Sequence, residues 1–581
     1  MLEQLPYPAI RALFARAEVF GGRSFILAGG GHLFEIGSPP DDLFFVTSGR
    51  LAVLRPDPEG RLHSIGIVHS GEIAGEMAFL DAAPHKSRLV ALRDCEMTSI
   101  PSARFFEEAN INPLLMGELA RLLLRRIRRG TARTLSTEAN VICIAALDGT
   151  DPAVTAQSLC AELRNLAHSC VVITSEDVAL SKDWLTRAER DHDVVLLVAR
   201  VEETVWAEEC RRQADRLLLI GNASKPPPQG CAICEADPLS ASRLVNLVLV
   251  RDDHRGPSYT AEWLAAVRPL RHYHVVRGSR EDAARLSRAL AGYSVGLVLS
   301  GGGARAFAHI GAIRALREAG VPIDQVGGTS MGAVIAAGVA MGWNDVALDA
   351  HLRQAFVASN PIDDIALPII AMTRGRKVDA RLREHFGTVK IEDLRIPLFC
   401  VSANLTSGHH VKHDDGDLCD ALRASIALPG ILPPMVKGGE VLADGGILRN
   451  LPTEIMRSVH DGSIIACDVT RSAGLNAEEI RPPMSWLRWF LSGDWRRGPP
   501  IVSILMRSAT IGTSADWLAS RLAADLYVAP ELGMIDLRDW KSYPVAVEAG
   551  YAAMKTSLAS LDGPATHLRH RRTMAAGDLP L

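Results

Sequence analysis

Gly328-Thr329-Ser330-Met331-Gly332 constrains this chain more tightly than any other stretch of it. A serine set between glycines in this way fits a sharp strand-to-helix turn. The glycines let strand and helix approach without Cβ clashes, and the hydroxyl stands exposed at the helix N-terminus, where the peptide dipoles favour developing negative charge. The lead-in Asp324-Gln325-Val326-Gly327 reads as the strand. The small, apolar run Ala333 to Ala340 reads as a close-packing helix behind it. This part of the chain is therefore expected to be an α/β unit with Ser330 at its working edge.

Two further glycine-rich turns flank the elbow. Ser300-Gly301-Gly302-Gly303-Ala304-Arg305 follows the apolar strand Ser294 to Ser300 and opens a helix over Ala304 to Ala319. Consecutive glycines let backbone N–H groups point into one small space, as an oxyanion hole requires. A dinucleotide fingerprint would need its third glycine where the chain has Ala306, and an acidic residue downstream that is missing. Arg305 is left with two roles, bracing the loop or contacting an anionic substrate. Downstream, Ala443-Asp444-Gly445-Gly446 follows Glu440-Val441-Leu442. An aspartate at a strand end before two glycines has little steric cover and can take a proton from a neighbouring hydroxyl.

Any one of these turns also occurs as plain connection; the three in this order are far more specific. GGGAR, GTSMG and ADGG together resemble the patatin-like phospholipases, and Arg423-Ala424-Ser425-Ile426-Ala427-Leu428-Pro429-Gly430 is similar to the segment that leads toward that family's aspartate. The resemblance implies a serine–aspartate dyad that hydrolyses acyl esters without a catalytic histidine, cofactor or metal. Ser330 would be the nucleophile and Asp444 its base. Gly301, Gly302 and Gly303 would form the oxyanion hole, and Gly328 and Gly332 the elbow. A triad in the order Ser…Asp…His would instead draw on His460, His567 or His570. His309 reads as a packed or capping histidine.

The N-terminal region reads as short strands, Phe44 to Val46, Leu51 to Leu54 and Ser64 to Val68, punctuated by Gly37, Gly49, Gly60 and Gly71, with a helical pattern from Ala103 to Arg129. Gly71-Glu72-Ile73-Ala74-Gly75-Glu76-Met77-Ala78 looks like a cyclic-nucleotide-binding β-roll. The resemblance implies contacts at Gly75, Glu76, Met77 and Ala78, with Glu76 meeting the ribose hydroxyl. An arginine should follow in a P-R-x-A-T setting, but this chain has Pro84-His85-Lys86-Ser87-Arg88. Imidazole does not hold a phosphate as a bidentate guanidinium does, so Lys86 or Arg88 would have to substitute. The expectation is a packing module that binds cyclic nucleotide weakly or not at all.

Between these regions strand and helix alternate, with apolar runs at Val141 to Leu147, Cys170 to Thr174, Val194 to Ala199, Leu217 to Ile220 and Leu244 to Val250, as in a parallel α/β layer. It carries neither a Walker lysine nor a complete glycine fingerprint. The order of modules, with Trp206 to Asp215 and His272 to Gly278, resembles bacterial relatives of neuropathy target esterase. The resemblance implies a lysophospholipase or phospholipid esterase. The expected layout is a β-roll with C-terminal helices at 1–135, a connecting α/β domain at 136–290, a patatin-like hydrolase at 291–470, and its helical extension with a polar tail at 471–581. The rival function is a cyclic-nucleotide-sensing regulatory or scaffold protein with a vestigial hydrolase.

Composition narrows the partners. Lys+Arg 63 against Asp+Glu 67 leaves no basic excess for nucleic acid. No run approaches the roughly 18 to 20 apolar residues that span a bilayer. The reading is a cytoplasmic enzyme that takes lipid substrate at the inner membrane face; Trp486, Trp489, Phe490 and Trp495 with Arg488, Arg496 and Arg497 suit either that interface or a core-helix or lid contact. His409-His410-Val411-Lys412-His413 is expected to be an exposed hairpin rather than a metal site. The single pair Cys231 and Cys234 lacks the second half of a zinc site.

Overall fold

The computed structural model describes residues 7–56, 62–81, 83–130, 140–178, 184–200, 203–229, 244–253, 258–358, 363–367, 369–470, 514–533 and 535–569. They form two compact units, Met1–Ala291 and Gly292–Leu581.

The first unit holds a β-roll and a separate parallel layer. One four-stranded sheet of the roll runs Arg23–Leu27, Cys95–Pro101, Asp42–Ser48, Ile73–Ala74; the other runs His32–Phe34, Arg88–Ala91, Arg50–Pro56, Leu62–His69. Val46, Leu51, Val68, Leu89 and Met97 belong to one of the roll's buried cores. Helices Pro8–Phe14, Ser102–Ile111 and Leu114–Gly130 pack Ile10, Phe105, Leu119 and Leu122 onto Leu43 and Ile100. The helical pattern from Ala103 to Arg129 is thus two helices. Pro113 is the cause: it bars α geometry at Asn112, which is extended at φ −121° and ψ 93°.

The middle layer is a six-stranded, all-parallel sheet in the order Cys170–Ile173, Val194–Ala199, Val141–Ala146, Arg216–Asn222, Leu244–Arg251, Arg271–Val276. Val141 and Cys143 face one core, Ile142 and Ile144 the other. A sheet covered on both faces has no solvent side, so its strands read as continuous apolar runs. The sixth strand, with polar residues at Arg271, His272 and His274, gave no such run.

The second unit is built on a mixed sheet in the order Met435–Lys437, Glu440–Asp444, Leu398–Asn404, Gln325–Thr329, Val295–Leu299, Ser463–Cys467, Leu526–Val528, with His410–His413 antiparallel to Leu398–Asn404. The helix expected from Ala304 begins as a 3-10 turn over Gly303–Phe307 and becomes α-helical over Ala308–Glu318. The elbow helix, Met331–Ala340, is buried at all ten positions. Burying side chains such as Val334, Ile335 and Val339 contributes about 1.5–3 kcal/mol each.

The C-terminal region is more than a helical extension. Strand Leu526–Val528 extends the main sheet beside Ser463–Cys467, and helix Tyr543–Ala559 packs on Ala308–Glu318 so closely that a Cβ at Gly311 would lie 1.8 Å from Val547 O. The polar tail is also tied down where it begins: Ser463 Oγ donates to Thr566 O (3.1 Å) and His567 packs on Tyr293. Among the described residues no helix is long and apolar enough to cross a membrane. The Trp486–Trp495 segment and the Cys231–Cys234 pair lie outside the described residues.

Candidate active site

Ser330 sits where strand Gln325–Thr329 turns into helix Met331–Ala340, at φ 54° and ψ −131°. Positive φ at a non-glycine residue is strained, and the surroundings hold it there. The Ser330 N–H donates to Ser425 Oγ (2.9 Å), and Ser425 in turn donates to Val401 O (2.7 Å). Thr329 Oγ1 donates to Arg449 O (2.8 Å). The elbow tolerates only glycine at its flanks for steric reasons: a Cβ at Gly332 would come within 2.4 Å of Ser300 O, and one at Gly328 within 2.8 Å of the Gly332 carbonyl carbon.

Strand register brings the aspartate to the serine. Thr329 pairs with Val401 on one side of strand Leu398–Asn404, and Asp444 pairs with Ser402 on its other side. Both chains then leave the sheet at the same level. Ser330 Oγ donates to Asp444 Oδ2 at 2.6 Å, while Asp444 Oδ1 accepts the Gly446 N–H at 2.8 Å. Burial raises the Asp444 carboxyl from its ordinary range to about 6, against the pull of those two hydrogen bonds. A carboxylate poised there is ionised at neutral pH, yet basic enough to take a proton.

The glycine loop divides by role. The Gly301 N–H is spent on Asn450 O (3.2 Å) and the Ala304 N–H on Leu537 O (2.8 Å). Gly302 and Gly303 lie between them, half-buried, and among the described residues their N–H groups find no acceptor. Gly303 has φ 54°, and a Cβ there would sit 2.2 Å from Leu537 O. Of the two roles left open for Arg305, its contacts are those of a brace. Its side chain is buried, with Nε donating to Val469 O (2.8 Å) and Nη1 near Ile535 O (3.3 Å).

Among the described residues no histidine completes a triad. His460 contacts Gln325 and Ser294, and His567 packs on Tyr293, all at the strand starts, the end of the sheet opposite Ser330. His570 lies outside the described residues. His309 is fully buried, donates Nε2–H to Ser300 O (2.9 Å), and is kept neutral by burial, which drops it to about 4. His410–His413 forms a strand, and among the described residues no group of three or more His, Cys, Asp or Glu could hold a metal.

Two contributors escaped sequence reading. Ser425 fixes the nucleophile's backbone, although its segment was conspicuous. Asn450 bridges the loops: Nδ2 donates to Gly301 O (3.2 Å) and Thr470 Oγ1 (2.7 Å), and Oδ1 lies 2.9 Å from where a Gly446 Cβ would be. No local pattern marks an asparagine six positions after the aspartate.

The β-roll's nucleotide seat is arranged differently. Gly75 takes φ 93°, Glu76 and Ala78 are buried, and Met77 is exposed. His85 stacks on Phe34 with ring centroids 3.7 Å apart, and burial lowers its pKa. Lys86 pairs with Asp81 (2.7 Å) and Arg88 with Glu35 (2.6 Å). Both cations of the segment are thus held by carboxylates. In the middle layer, the turn after the first strand is filled by a carboxylate: Asp148 accepts from Thr150 N (3.2 Å), Thr150 Oγ1 (2.6 Å) and Asn222 N (2.6 Å).

Three family descriptions match parts of the chain. The description "Patatin-like phospholipase" matches residues 297–457, "Cyclic nucleotide-binding domain" 26–112, and "Neuropathy Target Esterase family P-loop like domain" 163–294. The class is thus that of the patatin-like hydrolases. An uncharacterized NTE family protein of Mycobacterium tuberculosis, MT2641, is 32% identical over 546 residues, covering 90% of each chain. The chain belongs to the NTE (neuropathy target esterase) family. Human patatin-like phospholipase domain-containing protein 6 is 27% identical over 595 residues, 89% of this chain and 43% of its own. Drosophila melanogaster neuropathy target esterase sws is 28% identical over 521 residues, 78% of this chain and 36% of its own.

Proposed function

We propose that the protein is a serine esterase that hydrolyses acyl ester bonds of lysophospholipids or phospholipids through Ser330 and Asp444. The observation that carries this reading is the 2.6 Å hydrogen bond from a strained, elbow-mounted serine to a buried carboxylate. As Ser330 Oγ attacks the ester carbonyl carbon, its proton passes to Asp444 Oδ2. The Gly302 and Gly303 N–H groups face the developing oxyanion, with Gly301 locked as the loop's hinge to Asn450. Collapse of the tetrahedral adduct breaks the ester C–O bond, and Asp444 returns the proton to the departing alcohol. Water then attacks the acyl-enzyme with Asp444 again as base, releasing the fatty acid and restoring Ser330.

The relatives' names and the patatin-like match favour a lipid substrate; in this reading the enzyme meets it at a membrane surface from the cytoplasmic side. The eight described cysteines are all free and buried, as suits a reducing compartment. The β-roll acts as a packing module without bound cyclic nucleotide, since His85, Lys86 and Arg88 are all engaged. Lysophosphatidylcholine hydrolysis by wild type and Ser330→Ala tests the proposal. Fatty-acid release should fall by about 10³-fold or more in the variant; release at the wild-type rate would remove Ser330 from the chemistry.

A further inference from the structure

We infer that the described residues Asp364–Leu367 and Ile369–Arg374, which pair as the two arms of a hairpin in the catalytic unit, dock that unit on a lipid surface. The inference deepens the lipid-esterase reading and rests on it for its purpose, though not for its test. The hairpin closes through Ala366 N to Met372 O (2.9 Å) and Arg374 N to Asp364 O (2.9 Å), with Ile369 N donating to Leu367 O (2.8 Å) at the tip. That tip presents four large aliphatic side chains to solvent: Ile365 is 54% exposed, Leu367 79%, Ile369 82% and Ile370 72%. Such residues are normally among the most buried, and so dense an exposed group marks a contact surface.

The base of the hairpin is wired to the catalytic aspartate. Met372 N donates to Gly430 O (2.9 Å), and both Thr373 N (3.2 Å) and Thr373 Oγ1 (2.7 Å) donate to Ile431 O. Three residues upstream of Gly430, Ala427 O receives the Asp444 N–H (2.9 Å). Arg423 braces the same segment, donating to Pro433 O (3.0 Å) and Asp379 Oδ1 (2.8 Å). A membrane gripped by this tip would therefore be held in fixed register with the dyad.

Charge selects lipid as the occupant. Exposed Arg374, Arg376 and Lys377 follow directly on the apolar tip. Lys377 pairs with Asp363 (2.5 Å), whereas among the described residues no carboxylate pairs with the Arg374 or Arg376 guanidinium. An apolar tip below a pair of unpaired arginines matches the order of acyl chain and anionic headgroup at an interface. Four side chains offer on the order of a few hundred Å², short of the ~800 Å² per partner of a standard protein interface.

Sedimentation with phosphatidylcholine–phosphatidylglycerol vesicles tests the inference, using the full chain and the double variant Ile369→Glu/Ile370→Glu. Vesicle affinity should drop at least about tenfold in the variant, while turnover of a soluble short-chain ester stays at the wild-type value. Arg374→Gln/Arg376→Gln should weaken binding to the anionic vesicles and leave binding to pure phosphatidylcholine unchanged. Wild type that stays in the supernatant, or a double variant that sediments like wild type, overturns the inference. So does a wild-type dimer that the double variant dissociates in the ultracentrifuge. The two proposals fail separately: vesicle binding lost in the double variant, with no ester hydrolysed by wild type, keeps the docking hairpin and removes the esterase.

Discussion

The β-roll's nucleotide seat and the cradle around Ser330 have the same kind of sequence credentials, a glycine-bearing turn with a few polar residues at family spacing. They differ in what their polar groups are doing. In the seat, His85 is stacked on Phe34, Lys86 is paired with Asp81, and Arg88 with Glu35. In the cradle, the Gly302 and Gly303 N–H groups have no acceptor among the described residues, and Ser330 is aimed at a carboxylate that burial has made more basic. A site able to bind keeps donors unspent for its ligand; a site that has become structure spends them internally. Glycine patterns alone do not separate the two, because they record backbone shape and not the fate of the donors.

The largest effect that can break this comparison is at Asp444. Asp444→Asn should abolish ester turnover, by about 10³-fold or more, while stabilising the fold at pH 8. The folded carboxyl titrates near 6 and the unfolded one near the ordinary 3.8, so the folded protein holds this proton more tightly. That contribution is complete below 3.8 and lost as pH rises through about 6, leaving a buried charge as a net cost. Removing it should raise the unfolding free energy by up to about 3 kcal/mol. Thermal midpoints across pH check the sign: the variant's advantage should shrink as pH falls from 7 toward 4.

Next in size is the glycine loop. A Cβ at Gly302 would clash only with Val469, whose Cγ2 would lie 2.6 Å away, so Gly302→Ala asks that this side chain move. The expected outcome is a folded protein whose kcat is down by about 10²-fold. Gly303→Ala adds a left-handed φ and a backbone clash with Leu537 O, so circular dichroism melts should show a lower midpoint as well as lost turnover.

A milder test is the pH profile. If Asp444 is the base, kcat/KM should fall tenfold per pH unit below about 6 and level off above it. The smallest expected effect belongs to the seat. Millimolar cAMP or cGMP should shift the wild-type melting midpoint by less than about 1 °C, since a ligand stabilises only what it binds. A clear shift would erase the contrast between the two regions.

Much of this molecule was legible in its sequence because its chemistry sits on local turns. The elbow, the glycine loop and Asp444 are each set by neighbours a few residues away. What stayed hidden depends on distant packing. Asn450 gains its role only because strand and helix bring Gly301 beside it. Strand Leu526–Val528 is three residues long, too short for a periodic signal, and exists because Ser463–Cys467 offers it an edge. The break at Pro113 was readable in principle, but the leucine spacing on either side of it hid the join. Arg305 could not be assigned from sequence, as the carbonyls it braces come from residues 469 and 533–535.

The most direct measurement is labelling by a fluorophosphonate probe, with the modified residue mapped by peptide mass spectrometry in wild type, Ser330→Ala and Asp444→Asn. An activated serine predicts one adduct, on Ser330, lost in Ser330→Ala and strongly slowed in Asp444→Asn. No adduct on wild type, or an adduct that persists in Ser330→Ala, would contradict a catalytic dyad at this elbow.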